Sequence, residues 1–213
     1  MNFDSSHLSP DTLLGQSSLL QAASLNTGRI IVIAGPSGVG KGTVCKRLLE
    51  KGSYPLMLSI SATTRAKRPG EVDGESYFFM SRTEFETMAQ TGDMLEWAEY
   101  NGNLYGTPKF YVEEQLAQDK HVLLEIETQG ALMVKALFPL VSTMFFLHPP
   151  SMDELQNRLS GRGANSDEDI DARLKIAERE FAVSDQFDYQ VINDDVERCC
   201  QEIETLLKTH SPT

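Results

Sequence analysis

At 213 residues the chain can fold one full core, burying roughly 70% of the surface it would expose unfolded, and its 40% hydrophobic and 23% charged content is ordinary for a globular protein. No apolar run reaches bilayer length, and a net charge of -12 argues against non-specific attraction to nucleic acid or a membrane surface. Cys45, Cys199 and Cys200 fit no disulfide framework and read as reduced thiols, while His7, His121, His148 and His210 lack metal-ligand spacing.

Residues 1–28 are rich in Ser, Leu, Gln and Asn, with Asp4 and Asp11 the only charged side chains, and are predicted to be a mobile tail. No Lys or Arg precedes Arg29, so the basic region of a targeting signal is missing and a cytoplasmic location is expected. Ile30 to Ala34 is a continuous apolar run rich in β-branched residues, which predicts a strand buried on both faces. Gly35, Pro36, Ser37, Gly38, Val39, Gly40, Lys41 and Gly42 then break regular structure, and Thr43 to Glu50 resumes with helical spacing. A strand, a glycine-rich loop and a helix with Lys41 at its mouth form a phosphate cradle. Gly35, Gly38, Gly40 and Gly42 permit positive φ and close backbone approach, while the helix N-terminus and Lys41 supply positive charge. The spacing Gly-x-x-x-x-Gly-Lys is present, but Gly42 stands where Ser or Thr completes the strict form; the hydroxyl follows at Thr43. On its own this loop implies a nucleoside triphosphate site. Between Arg29 and Arg68 the only acidic residue is Glu50, so an acidic chain surrounds its loop with one basic segment.

Leu56 to Ser61 is predicted as the next strand, followed by a basic cluster and the turn residues Pro69, Gly70, Asp73 and Gly74. Tyr77 to Met80 reads as strand, Ser81-Arg82-Thr83-Glu84 as a capping box opening a helix, and Leu95 to Tyr100 as strand before the hairpin signal Asn101-Gly102-Asn103. Thr107-Pro108 predicts a cap and an N1 proline for a helix from Pro108 to Gln118. Then follow a strand (His121 to Ile126), a helix (Gln129 to Leu137) and a strand (Val141 to Leu147). A second capping box at Ser151-Met152-Asp153-Glu154 opens a helix to Leu159. Gly161 to Asn165 interrupts, a long helix runs from Asp167 to Ala182, and a strand (Tyr189 to Ile192) and a helix (Val196 to Thr209) close the chain. Strands alternating with helices predict an α/β fold with a parallel sheet and the phosphate loop at its carboxyl edge.

Laid out in this order, Gly-Pro-Ser-Gly-Val-Gly-Lys, Ser-Ala-Thr-Thr-Arg-x-x-Arg-Pro-Gly-Glu, Gly-Asn-x-Tyr-Gly-Thr, Gly-Arg-Gly and Val-Ile-Asn-Asp resemble the motifs of guanylate kinases from Ile30 to about Leu207. The resemblance implies a P-loop NTPase-type parallel sheet flanked by helices, with a small β-rich GMP-binding insertion at 64–107 and a helical lid with flanking helices at 151–182. The core is expected from 29–63, 108–150 and 183–213. The implied reaction is transfer of the γ-phosphoryl of ATP to GMP, giving ADP and GDP.

In such an enzyme Lys41, Arg158, Arg162 and Arg173 match the catalytic cations, the last three arriving by lid closure. The loop from Gly35 to Thr43, with Arg162 and Asn193, matches the ATP site; for Asn193 an end-of-strand cap is the competing reading. Arg65 and Arg68 suit a doubly charged phosphate, since guanidinium forks pair bidentately with its oxygens, and Tyr77 and Tyr105 match hydroxyl donors to the same group. Ser61, Gly106 and Thr107 match positions near the acceptor. Glu96 is expected to select guanine, whose adjacent N1–H and 2-amino donors one carboxylate can accept together; adenine would leave that buried charge facing a lone pair. Glu99, three places on, falls on the opposite strand face. Glu125 and Glu127 share one face, and which of them meets the base or magnesium waters is left open. Because Gly42 offers no hydroxyl, Mg²⁺ is expected to be held by ATP oxygens and water, with no metal ligand from the protein. ATP and GMP are thus the expected small-molecule partners; no nucleic acid or membrane is expected, and self-association is left open. Two further readings are a non-catalytic guanylate-kinase-like binding module and a sister P-loop kinase acting on a phosphorylated sugar.

Overall fold

The structure, a computed structural model, describes residues 28–100, 102–161 and 167–209. All of the predicted tail except Gly28, together with Asn101, Arg162 and Gly163, lies outside the described residues. A five-stranded parallel sheet is centred on β1 (Ile30–Ala34), every residue of which is buried. Its neighbours are β7 (His121–Glu125) and β8 (Ser142–His148), with β2 (Leu56–Leu58) and β9 (Tyr189–Ile192) at the edges. The period of two along β1 feeds two separate cores. Ile30, Val32 and Ala34 pack with residues of α3 (Lys109–Leu116) and α4 (Thr128–Leu137) on one face. Ile31 and Ile33 pack with α1 (Lys41–Lys51) and α7 (Val196–Thr209) on the other. Each fully buried aliphatic side chain contributes about 1.5–3 kcal/mol, so this strand is the anchor of the loop that follows it.

The predicted strand from Leu56 to Ser61 divides between two sheets. Ser59 N–H donates to Leu123 O (2.9 Å), the last tie to the parallel sheet, and Ser61 O accepts from Phe78 N (2.9 Å), an early tie to the second. That second sheet has the order β4-β3-β6-β5, with β3 (Ala62–Thr63), β4 (Phe78–Phe79), β5 (Met94–Tyr100) and β6 (Asn103–Pro108). The helix α2 (Arg82–Thr91) covers it with Phe85, and the predicted capping box at Ser81 and Glu84 is present in full. Leu95 of β5 reaches out of the second sheet into the core of the first.

Two predicted caps differ from what forms. Strand β6 runs through Pro108, which is itself the N-cap of α3 and makes no side-chain cap bond. Thr107 is not a cap: Pro108 occupies that position, and the Thr107 hydroxyl instead donates to the buried carboxylate of Glu96. Ser151 caps α5 (Met152–Ser160) by accepting from Glu154 N (3.1 Å), but the Glu154 carboxylate goes to Arg158. Helix α5 packs against α6 (Asp167–Phe181) through Leu155, Leu159, Ile170 and Ala177. The cysteines are buried free thiols; desolvation pushes Cys45 far up, Cys199 to about 12 and Cys200 to about 11, so they stay protonated.

Candidate active site

The loop after β1 and the end of β7 enclose a cleft of about 410 Å³, lined by Pro36, Ser37, Gly38, Gly40, Lys41, Gly42, Thr43, Glu125 and Glu127. Helix α1 begins at Lys41, two residues earlier than the spacing suggested, because Gly40 at φ 101° turns the chain into it. A Cβ on Gly40 would lie 2.6 Å from Asn193 Nδ2, so conformation and space both require glycine there. Of the two freedoms a glycine offers, Gly42 uses close approach and not positive φ: it lies within α1, and its bare Cα admits Glu125, whose Oε1 would be 3.2 Å from a Cβ. Lys41 is buried and donates from Nζ to Gly35 O (2.6 Å), with Glu127 Oε1 at 3.5 Å, so its ammonium is aimed across the loop.

The loop is braced from behind. Asn193 is 3% exposed and donates from Nδ2 to Val39 O (2.8 Å). Arg158 donates to the same carbonyl from Nη1 (3.2 Å) and to Asn193 O from Nη2 (3.1 Å), with Nε on Glu154 (2.9 Å). Of the other candidate lid cations, Arg173 is half-buried on α6 and Arg162 lies outside the described residues.

Glu96 is 7% exposed and accepts from Thr107 Oγ1 (2.7 Å). Desolvation raises its pKa; hydrogen bonds from Thr107 oppose the rise and the charge of Glu127 adds to it. Its tip rests on Gly130 in the first turn of α4, where a Cβ would meet Glu96 Oε2 at 2.7 Å. Gly106, facing β5, is equally tight: a Cβ would meet Glu96 O at 2.7 Å and Trp97 Cβ at 2.8 Å. Glu99, by contrast, is exposed and pairs with Arg82 (3.4 Å), which leaves Glu96 as the inward carboxylate of β5.

Between β3 and β4 the guanidinium of Arg65 lies 5.5 Å from the Tyr77 ring centroid and 5.8 Å from that of Phe79. Tyr77 and Tyr105 meet edge to face at 6.2 Å. The Arg68 side chain is exposed, and Ser61 is half-buried at the root of β3. Glu125 and Glu127 both face the loop cleft; Glu125 is raised by desolvation, offset by Lys41 and reinforced by Glu127. Sequence reasoning missed three contributors. Glu71 grips Arg65, and Gly130 makes room for Glu96. Glu180 near the end of α6 accepts from Thr128 Oγ1 (2.7 Å) at the start of α4. Gly130 carried a local signal, a glycine inside a helical run, and Glu71 closed a motif read for its arginines; Glu180 carried none.

Comparison with known proteins agrees with this geometry. The profile of the guanylate kinase family matches residues 27–210. A guanylate kinase of Synechocystis sp. is 51% identical over 180 residues, 84% of this chain and 93% of that one, and one from Bacillus cereus is 50% identical over 180 residues, covering 84% and 87%. The crystal structure of guanylate kinase from Anaplasma phagocytophilum superimposes with a TM-score of 0.69 at 33% identity, covering 87% of each chain. With its phosphate loop, buried Glu96 and alignment over most of its length, this chain belongs to the guanylate kinase family.

Proposed function

We infer that the chain transfers the γ-phosphoryl group of ATP to GMP, releasing ADP and GDP. The observation that carries the choice of acceptor is the Glu96 carboxylate, desolvated, held by Thr107 and seated on Gly130. Ionised, it accepts the N1–H and 2-amino donors of guanine. Ser61 and Thr107 flank it, and Arg65, Arg68, Tyr77 and Tyr105 take the 5′-phosphate. An oxygen of that phosphate is already an anionic nucleophile and needs no base. It attacks the γ-phosphorus as the bond to the β–γ bridging oxygen breaks, and ADP departs with that electron pair. Lys41 and the N–H groups from Gly35 to Thr43 hold the β- and γ-oxygens. Arg158, tied to Val39 O, lies on the loop's flank, and Arg162 and Arg173 complete the cationic collar from the lid.

The oxygen donors beside Gly42, Glu125 and the exposed Thr43 hydroxyl, suit a hard cation brought in with the nucleotide. Mg²⁺ bound to ATP would neutralise the phosphate oxygens, with Glu125 holding its waters. Residues 64–107 form the acceptor-binding insertion and 151–182 the lid and its flanks, on a core of 29–63, 108–150 and 183–213. Buried protonated thiols suit the cytoplasm, and among the described residues no helix is long and apolar enough to cross a membrane. A binding module would have no need of Lys41 held at 2.6 Å from Gly35 O, and a sugar acceptor would leave the Glu96–Thr107 pair without purpose.

The test is a coupled assay of ADP release with GMP, AMP and CMP as acceptors. GMP is expected to exceed AMP in kcat/KM by about 10⁴-fold, as for sites that hydrogen-bond the substrate with a buried group. Comparable values for the two purines would overturn the assignment.

A further inference from the structure

We propose, on the reading of Arg65 and Arg68 as ligands of the GMP phosphate, that Glu71 is a positioning residue which fixes the Arg65 guanidinium in the orientation that receives that phosphate and holds the turn that carries Arg68. A guanidinium has five N–H donors. Arg65 spends two from Nη1, on Ala66 O (2.8 Å) and Glu71 Oε2 (3.1 Å), and one from Nη2 on Glu71 Oε1 (2.7 Å). Two remain, on the Nε side of the fork, for the phosphate. The fork is therefore not free to turn: Glu71 holds its end while Tyr77 and Phe79 flank it.

The same carboxylate organises Arg68. Glu71 Oε2 accepts from Arg68 N (2.7 Å), and Glu71 N donates back to Arg68 O (3.2 Å). Pro69 and Gly70, the latter at φ 87°, occupy the centre of this turn, which brings Glu71 back beneath Arg68. Arg65 and the Arg68 backbone N–H together keep Glu71 below the usual carboxylate range and so ionised. A carboxylate near a phosphate dianion repels it, but two cations to one anion leave the cluster positive, and solvent screens the repulsion at this open site. The gain is a guanidinium ordered before the acceptor arrives.

Glu71→Ala is expected to raise KM for GMP about 10-fold while kcat changes less than about 3-fold, the signature of lost binding common to ground and transition states. KM for ATP should stay put. Glu71→Asp should recover part of the loss. Inhibition by guanosine, which has the base but no phosphate, should be unmoved in Glu71→Ala, because only the phosphate reads the clamp. A parallel weakening of guanosine would reduce Glu71 to a support of the turn and overturn the proposal. An unchanged KM for GMP would overturn it too, and a lowered one would mean that the carboxylate competes with the phosphate. If Glu71→Ala does not fold, the isosteric Glu71→Gln carries the same comparison. Arg65→Ala, run beside these, separates the two claims: an unaltered KM for GMP there removes the phosphate site itself, whereas a raised KM with no effect at Glu71 removes only the positioning role.

Discussion

Glu96 carries a charge that its surroundings disfavour. Desolvation is the largest influence on it and raises its pKa, the Thr107 hydrogen bonds pull the other way, and Glu127 adds repulsion. Binding guanine needs the ionised form, because a protonated carboxyl can accept only one of the two donors cleanly. KM for GMP should therefore climb as pH falls, beginning at a higher pH than an ordinary glutamate near 4.3 would give. The acceptor's own phosphate titrates near pH 6, yet that limb is common to every variant. Glu96→Gln should lose about 10²-fold in kcat/KM for GMP, through one donor left unpaired. Subtracting its pH profile from that of the parent isolates the carboxyl; identical profiles would deny Glu96 its place at the base.

At the scale of elements, the meeting of β5 with the first turn of α4 decides whether Glu96 is aimed. A Cβ on Gly130 would sit 2.7 Å from Glu96 Oε2 and 3.2 Å from its carboxyl carbon. The obstacle is the end of a flexible side chain, so it can swing aside, and alanine in a helix gains about 1 kcal/mol over glycine. Gly130→Ala should therefore leave Tm unchanged or raised while KM for GMP rises about tenfold or more, a split that calorimetry and kinetics on one preparation would read. The phosphate loop was legible in the sequence because strand, loop and helix are consecutive and each announces itself by local pattern. The capping box at Ser81 was legible for the same reason. What escaped was long-range. Asn193 and Val39 are 154 positions apart and Thr128 and Glu180 are 52 apart, so no periodicity connects them. Thr107 misled because its sequence signal, a hydroxyl before proline, is that of a cap, whereas the fold places a buried carboxylate across from it. Glu71 stood within a recognised motif, but its grip on Arg65 depends on a turn whose geometry composition does not state.

Across the whole molecule, carboxylates divide into two groups with opposite effects on stability. Glu96, Glu125 and Glu180 are raised, chiefly by desolvation, and each therefore stabilises the fold fully below its unfolded value of 4.5 and loses that contribution as pH rises through its folded pKa. Glu71, Glu84 and Glu197 are lowered by hydrogen bonds from Arg65, Ser81 and Arg47 respectively; their contribution is present above 4.5 and is lost as pH falls through the folded pKa. His121 and His148, lowered by desolvation, also favour the fold above 6.5 and disfavour it as pH falls below. The first group thus erodes stability toward alkaline pH, where a chain of net charge -12 also repels itself, and the others erode it toward acid. Glu180 is the member best suited to a test, since it accepts from Thr128 outside the direct contacts assigned to GMP. Glu180→Gln keeps the acceptor oxygen for Thr128 and deletes the desolvated charge. Its Tm should exceed that of the parent at pH 8, on the order of 2–4 °C for a chain of this size, and the gap should close by pH 4.5, where the parent's carboxyl is itself protonated in the fold. A gap that widened toward acid would mean that the Glu180 charge stabilises the end of α6, reversing the sign assigned to it.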